Sequence, residues 1–314
     1  MNTLTLRQLR YFEALAHHRH FGRAAKASAI SQPALSVQIK ELEQSLGVDL
    51  FERGARQVRL TRFGETFATR VRDILRGVEE LEDLARSSRA GLAGRLRLGI
   101  IPTIAPYLLP SVIDGLSRSH EGLEVHVRET LTTTLVQEVE NGQIDAAIVA
   151  LPVSEPSLSE LKLFSENFVL VRPQADAWKP VPDRDSLKEM RLLLLEEGHC
   201  FREQALSFCI LSSAPPREML DVSSLSTLVQ MVSAGIGVTL IPEMAVNVET
   251  RSAPVSVAHF EGTQPSRTIG MIWRRTSPLA DQLRQIGETV RAAAEALYAR
   301  AARKPHVTAP DDRP

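Results

Sequence analysis

The stretch 21-FGRAAKASAISQPALSVQIKELEQSLGVDLFERGARQVRLTRFG-64 alternates short helical runs with turn chemistry, and its reading decides the fold. Gly22 to Ser28 sets Ala24, Ala25 and Ala27 in one short helix, small residues that let a neighbouring helix approach closely. After the turn Ala29-Ile30-Ser31, Ser31 is placed to N-cap a third helix with Pro33 in its first turn, where the missing N–H costs nothing. At ~100° per residue Leu35, Ile39, Leu42 and Leu46 fall on one face of that helix, so Pro33, Ser36, Val37 and Lys40 face away from it. Upstream, Leu6, Leu9, Phe12, Leu15 and Ala16 recur at helical spacing and predict a first helix over 4–18. The pattern is that of a helix-turn-helix, whose second helix presents its N-terminal residues to base edges in the major groove.

In that geometry Gln32 and Ser36 bond bases, while Pro33 and Val37 meet thymine methyl groups. Arg53, Arg56 and Arg59 follow in a turn-rich segment predicted to form a short hairpin wing, where arginines hold phosphates and fix register. Charge points the same way. Residues 1–62 hold ten Arg or Lys against five acids, a local +5 in a chain whose net charge is −1, so a basic head sits on an acidic body. Helical periodicity and charge alone also fit a plain three-helix bundle with a solvated basic face.

The motifs are more specific. Ala24-Ala25, Ser31-Gln32-Pro33-Ala34-Leu35-Ser36, Ile39-Lys40-Glu41-Leu42-Glu43, Leu46-Gly47 and Leu50-Phe51-Glu52-Arg53 stand in the order found in the LysR-type transcriptional regulators, and the chain resembles that family over its whole length. The resemblance implies a fold of α plus α/β class: an N-terminal winged helix-turn-helix over 4–61, a long linker (dimerisation) helix with a hinge over 62–90, and a two-lobed periplasmic-binding-protein-like α/β effector domain over 91–303. It implies double-stranded promoter DNA and RNA polymerase as partners, and a homodimer or homotetramer assembled as a dimer of dimers.

The rest of the sequence agrees with this plan. Phe67, Val71, Ile74, Leu75, Val78, Leu81 and Ala85 recur at three- and four-residue steps, the seam of a helix that pairs with a second copy. Ala90-Gly91-Leu92-Ala93-Gly94 reads as the hinge. Beyond it, strands at 95–101, 123–128 and 144–151 alternate with helices at 107–119 and 132–141, a βαβαβ unit that predicts a largely parallel sheet. A second unit comprises a strand at 192–195, a helix after Gly198, a strand-like stretch at 218–222, a helix at 225–234 and a strand at 237–241; a strand at 267–273 and a helix from 278 to about 303 return to the first lobe. The tail 304–314, rich in Pro, Asp and Arg, is expected to be disordered. The N-terminus lacks the apolar core of a secretory signal and no stretch approaches the ~20 apolar residues of a membrane span, so a cytoplasmic, reducing setting with no membrane partner is expected.

Ligands of open α/β sheets bind beyond the carboxyl ends of strands. Ile101-Pro102-Thr103 and Thr130-Leu131-Thr132-Thr133-Thr134 are hydroxyl-bearing loops at two such ends, although Thr132 also fits the N-cap of its own helix. The chain has 2 cysteines, Cys200 and Cys209. On an intact helix nine residues separate them by ~13.5 Å along the axis and about half a turn, beyond the roughly 4.4–6.8 Å between Cα atoms that a disulfide needs. Any bond between them requires the segment to refold. Cys200 has His199 beside it and Arg202 two residues on, neighbours that lower a thiol pKa, whereas Cys209 lies among Phe208, Ile210 and Leu211. Taken alone the pair also fits two ordinary buried cysteines; His199, Cys200 and Cys209 match no common metal spacing, so neither metal nor cofactor is expected.

Gly198-His199-Cys200 with Arg202, Gln204-Ala205 and Phe208-Cys209 is similar to the redox centre of the peroxide-sensing branch of the LysR-type family, and Pro106-Tyr107-Leu108-Leu109-Pro110 and Arg267-Thr268-Ile269-Gly270 are similar to its effector domain. Phe201 and Glu203 depart from the Leu and Asp of that pattern. The resemblance implies a redox-active Cys200, attacked as a sulfenic acid by the resolving Cys209 to form a disulfide, and a hydrogen peroxide pocket of Thr103, Thr132, His199 and Arg267, with a thiol reductant of the glutaredoxin or thioredoxin system as reset partner. Two rivals stand beside it: a family member answering to a small organic anion in the interlobe cleft with bystander cysteines, and a thiol peroxidase enzyme.

Overall fold

The computed structural model describes residues 4–52, 58–87, 94–183, 186–187, 190–196, 222–262 and 264–303. Arg53, Arg56, the hinge residues 90–93, the helix predicted after Gly198 with His199, Cys200 and Cys209, the stretch 218–221 and the tail lie outside the described residues. The chain divides into two compact units, Met1–Ala85 and Arg86–Pro314.

The first unit opens with α1 (Leu6–His18), α2 (Phe21–Ala27) and α3 (Gln32–Leu46). Thr5 and Gln8 form a capping box at the start of α1. The Ser31 hydroxyl accepts from Ala34 N–H at 3.3 Å to start α3, and Gly47, left-handed at φ 70°, ends it. α2 begins one residue earlier than its sequence suggests, because the His20 imidazole accepts from Gly22 and Arg23 N–H. Ala24 and Ala25 are buried at the helix contact as expected, but Ala27 is exposed. Leu9, Phe12, Leu15, Leu35, Ile39 and Leu42 form the core, joined by Tyr11, Leu50 and Phe51; Leu6 stays outside.

Past α3, Glu43 Oε1 accepts from Leu50 and Phe51 N–H at 2.7 and 3.1 Å, turning the chain into an antiparallel bridge between Phe51 and Leu60. The expected wing lies between these two residues, and its positions 53–57 are outside the described residues. α4 (Arg62–Ser87) follows without a break. Its apolar positions divide into two faces: Ala68, Val71 and Leu75 are buried on the core, with Phe67 edge-on to Phe12 at 5.0 Å, whereas Phe63, Ile74 and Leu81 are exposed.

The second unit is built on one eight-stranded sheet with a central switch of direction. In order come β1 (Gly94–Ile100), α5 (Ala105–Ser119), β2 (Leu123–Glu129), α6 (Thr132–Glu140), β3 (Ala146–Leu151), β4 (Leu158–Pro173), β5 (Leu192–Leu193), α7 (Leu225–Ser233), β6 (Val238–Pro242), α8 (Val246–Glu249), β7 (Val255–Ala258), β8 (Ser266–Arg274) and α9 (Ala280–Arg303). β1 pairs in parallel with β2 and β3, and β5 with β6; every ladder made by β4 or β8 is antiparallel. The sheet is therefore mixed rather than largely parallel. Long β4 causes this. Leu158–Asn167 run beside β8 in the first lobe, then Phe168–Val171 pair with β6 and Leu170–Pro173 with β7 in the second. One strand thus spans both lobes. β4, β7 and the short helix α8 are the elements above that the sequence reading left out. Leu195 bridges Val222 in parallel, and Glu196 N–H donates to Val222 carbonyl at 2.9 Å.

Candidate functional site

On α3 the positions facing away from the core are Gln32, Pro33, Ser36, Val37 and Lys40, and all five are exposed. Val37 shows 54% of its surface, an apolar side chain left in water on a helix whose opposite face is fully covered. That arrangement suits a methyl-reading contact. Arg59 is exposed at the wing base. Among the described residues the first unit therefore presents one polar, basic helix face next to a wing.

In the second unit the sheet brings chain-distant residues together beyond the end of β1. Arg267, at the start of β8, donates from Nη1 to Thr103 Oγ1 at 2.8 Å and from Nη2 to the Thr103 carbonyl at 3.1 Å. Its Nε donates to Glu166 Oε2 at 2.8 Å, and Nη2 lies 2.7 Å from the same oxygen. Both side chains of that ion pair are fully out of solvent. The other oxygen of Glu166 accepts Met244 N–H at 3.2 Å, which reaches into the second lobe. The Arg267 guanidinium lies over the Phe168 ring, 5.7 Å from its centroid.

Thr132 takes the first position of α6, not its cap: the N-cap residue is Leu131, which offers no side-chain hydrogen bond. The loop carrying it is held to β1 by Thr130 N–H on the Ile100 carbonyl. Among the described residues the buried Thr132 hydroxyl has no partner. Buried hydroxyls are normally satisfied, so this one has an unused hydrogen-bonding capacity near the end of β1. Thr133 is exposed.

Groups that the sequence reading did not name as site residues stand nearby. The Tyr107 hydroxyl on α5 donates to Glu249 Oε1 on α8 at 2.6 Å, and Ser226 on α7 donates to Glu249 Oε2 at 2.6 Å. Burial, then the hydrogen bond to Glu249, raise the Tyr107 pKa well above the phenol range, so this side chain is a donor at any accessible pH. Tyr298 on α9 is raised likewise, by burial first and then by the Glu166 carboxylate it faces, although its hydroxyl makes no well-formed hydrogen bond among the described residues. A surface depression of about 590 Å³ lined by Glu155, Glu160, Trp273 and Arg275 shares no residue with this network. Among the described residues no His, Cys, Asp and Glu group could hold a metal, and no helix is long and apolar enough to cross a membrane.

Family models place both units. Residues 6–65 match the bacterial regulatory helix-turn-helix protein of the lysR family, and residues 89–295 match the LysR substrate binding domain. The chain belongs to the LysR family of transcriptional regulators. Within it, the chain is 39% identical over 292 residues to the DNA-binding transcriptional dual regulator OxyR of Escherichia coli K12, covering 92% of this chain and 95% of that one. Two solved structures are similar. A full-length OxyR from Pseudomonas aeruginosa with a cysteine-to-aspartate substitution superposes with a TM-score of 0.73 at 36% identity, over 92% of this chain and 95% of that one. A Corynebacterium glutamicum OxyR cysteine-to-serine mutant, described as H2O2-bound, gives 0.66 at 34% identity over 97% and 98%.

Proposed function

We infer that this chain is a hydrogen-peroxide-sensing, DNA-binding transcription regulator of the OxyR type, controlling oxidative-stress genes. The observation that carries this reading is the Thr103–Arg267 contact beyond the end of β1, with the unpartnered Thr132 hydroxyl following a loop held to the same strand, in a chain similar to a peroxide-bound relative. Promoter DNA is read by α3 through Gln32, Pro33, Ser36 and Val37, with Lys40 on the same helix and Arg53 and Arg56 on the wing holding phosphates. The working divisions are a DNA-binding domain over 4–61, a linker over 62–90 and an effector domain over 91–303.

The chemistry assigned to the thiols is a two-step oxidation. The Cys200 thiolate attacks one peroxide oxygen, the O–O bond breaks, and the departing hydroxide leaves as water once protonated; Thr103, Thr132, His199 and Arg267 polarise that oxygen. The Cys209 thiol then displaces water from the Cys200 sulfenic acid, forming the disulfide. A glutaredoxin- or thioredoxin-type reductant returns both thiols. The DNA-reading head on the same chain supports a switch over a thiol peroxidase enzyme.

The exposed Phe63, Ile74 and Leu81 face of α4 supports pairing with a second copy, giving the homodimer and, through a further contact, the homotetramer that sets two reading heads on one operator. RNA polymerase is the partner that reads the outcome. The rival of an organic-anion ligand finds little support in a cleft whose buried guanidinium is already paired with Glu166.

The test is thiol trapping after a stoichiometric pulse of hydrogen peroxide, read by intact mass. Wild type should lose two hydrogens, Cys209→Ser should accumulate a Cys200 sulfenate, and Cys200→Ser should stay reduced. A wild type that remains a dithiol removes the peroxide reading.

A further inference from the structure

A buried arginine at a ligand site is ordinarily an anion receptor. Its charge is poorly screened, and the Nε–Nη2 edge matches a carboxylate, sulfate or phosphate in fork geometry. Here that edge is taken. Glu166 Oε2 stands 2.8 Å from Nε and 2.7 Å from Nη2, while Thr103 receives Nη1 and the remaining Nη2 direction. Of the five guanidinium N–H groups, one on Nη1 has no acceptor among the described residues.

The pair is also costly to keep. Both partners are fully buried, and a buried ion pair generally contributes little to stability compared with apolar residues of the same volume. Its anchoring by Met244 N–H and the Phe168 ring fixes the carboxylate in the one position where it cancels the guanidinium. The carboxylate at that edge neutralises the guanidinium and leaves an anion no edge to bind. What the site still offers a ligand is hydroxyl dipoles and a single N–H.

We propose that Glu166 is a specificity-determining residue: by occupying the anion edge of Arg267 it makes the pocket accept a neutral hydroxylic oxidant and exclude anions, anionic hydroperoxides among them. This deepens the peroxide reading and rests on it for the identity of the oxidant, but the exclusion of anions stands on the ion pair itself.

Sulfate binding to the reduced full-length protein, followed by calorimetric titration, tests the exclusion without any redox chemistry. Wild type should show no saturable site, Glu166→Gln should bind sulfate at least tenfold more tightly, and Glu166→Gln/Arg267→Gln should lose that binding. A Glu166→Gln protein that binds sulfate no better than wild type overturns the proposal. Should that variant fail to fold, wild type alone still decides. Its disulfide formation is timed with hydrogen peroxide and with the peroxymonosulfate anion, each rate divided by that of free cysteine with the same oxidant. The ratio should favour hydrogen peroxide by at least tenfold, and equal ratios overturn the assignment. Absence of any Cys200–Cys209 bond with hydrogen peroxide counts against the peroxide reading instead, and leaves the sulfate result to judge Glu166.

Discussion

The Tyr107 hydroxyl and the Glu249 carboxylate meet at 2.6 Å although 142 positions separate them, and they tie α5 of the first lobe to α8 of the second. Glu249 shares its other oxygen with Ser226, near the start of α7, which follows directly on the segment carrying the cysteines. Tyr107→Phe strands one carboxylate oxygen in a half-buried position, with an expected loss of about 1–3 kcal/mol in effector-domain stability. Urea denaturation should show Tyr107→Phe and Ser226→Ala to be non-additive, because both act through Glu249.

Removing Arg267 should be the most damaging single change in the second unit. Arg267→Met leaves Glu166 buried without its counter-charge, a loss of about 3–5 kcal/mol. Replacing both, as Arg267→Met/Glu166→Gln, should recover most of the urea midpoint.

On α3 the expected effects are on binding and not on folding. Val37→Ala should leave the thermal midpoint unchanged and reduce discrimination between matched and mismatched operators at the base pair it touches. Lys40→Ala should instead weaken binding to all DNA alike and lower the slope of log affinity against log salt by about 1. Fluorescence anisotropy at several salt concentrations separates the two.

The wing depends on a close approach at Gly64, where a Cβ would stand 2.1 Å from the Leu50 carbonyl oxygen. Gly64→Ala must push the α4 start away from the wing base. The cost expected for such overpacking is about 1–3 kcal/mol, seen as a lower-temperature transition of the first unit and weaker DNA binding at equal salt.

Burial raises the Glu13 pKa on α1, against the lowering pull of Arg72 and His17. A carboxyl whose folded pKa exceeds its unfolded value binds protons more tightly when folded, so its contribution is fully present below the unfolded pKa, near 4.5, and is lost as pH rises through the folded one. Glu13→Gln should therefore stabilise the first unit at neutral pH and lose that advantage toward pH 4, measured by thermal denaturation across that range.

The reading head was legible because its signals are local. Ser31 as cap, Pro33 in the first turn and an apolar stripe at helical spacing mark α3 within one short stretch. α4 was legible as a helix but not as two faces, since periodicity does not say which neighbour covers Val71 and which leaves Ile74 in water. β4 escaped because Ser165-Glu166-Asn167 interrupt its apolar runs where the strand passes between lobes. With β4 went Glu166, whose partner Arg267 lies 101 positions away. The motif signal identified Thr103 and Arg267; only the sheet revealed the carboxylate between them and the second lobe.

The bridge from Leu195 to Val222, with Glu196 N–H on the Val222 carbonyl, has a consequence for how such a sensor can change. Leu195 and Val222 are held side by side, so the two ends of the intervening sequence start from one fixed point of the sheet. The scaffold thus has a socket with fixed terminals. A replacement sequence has to join only these two neighbouring ends, which makes this stretch the place to graft a new trigger onto the same scaffold.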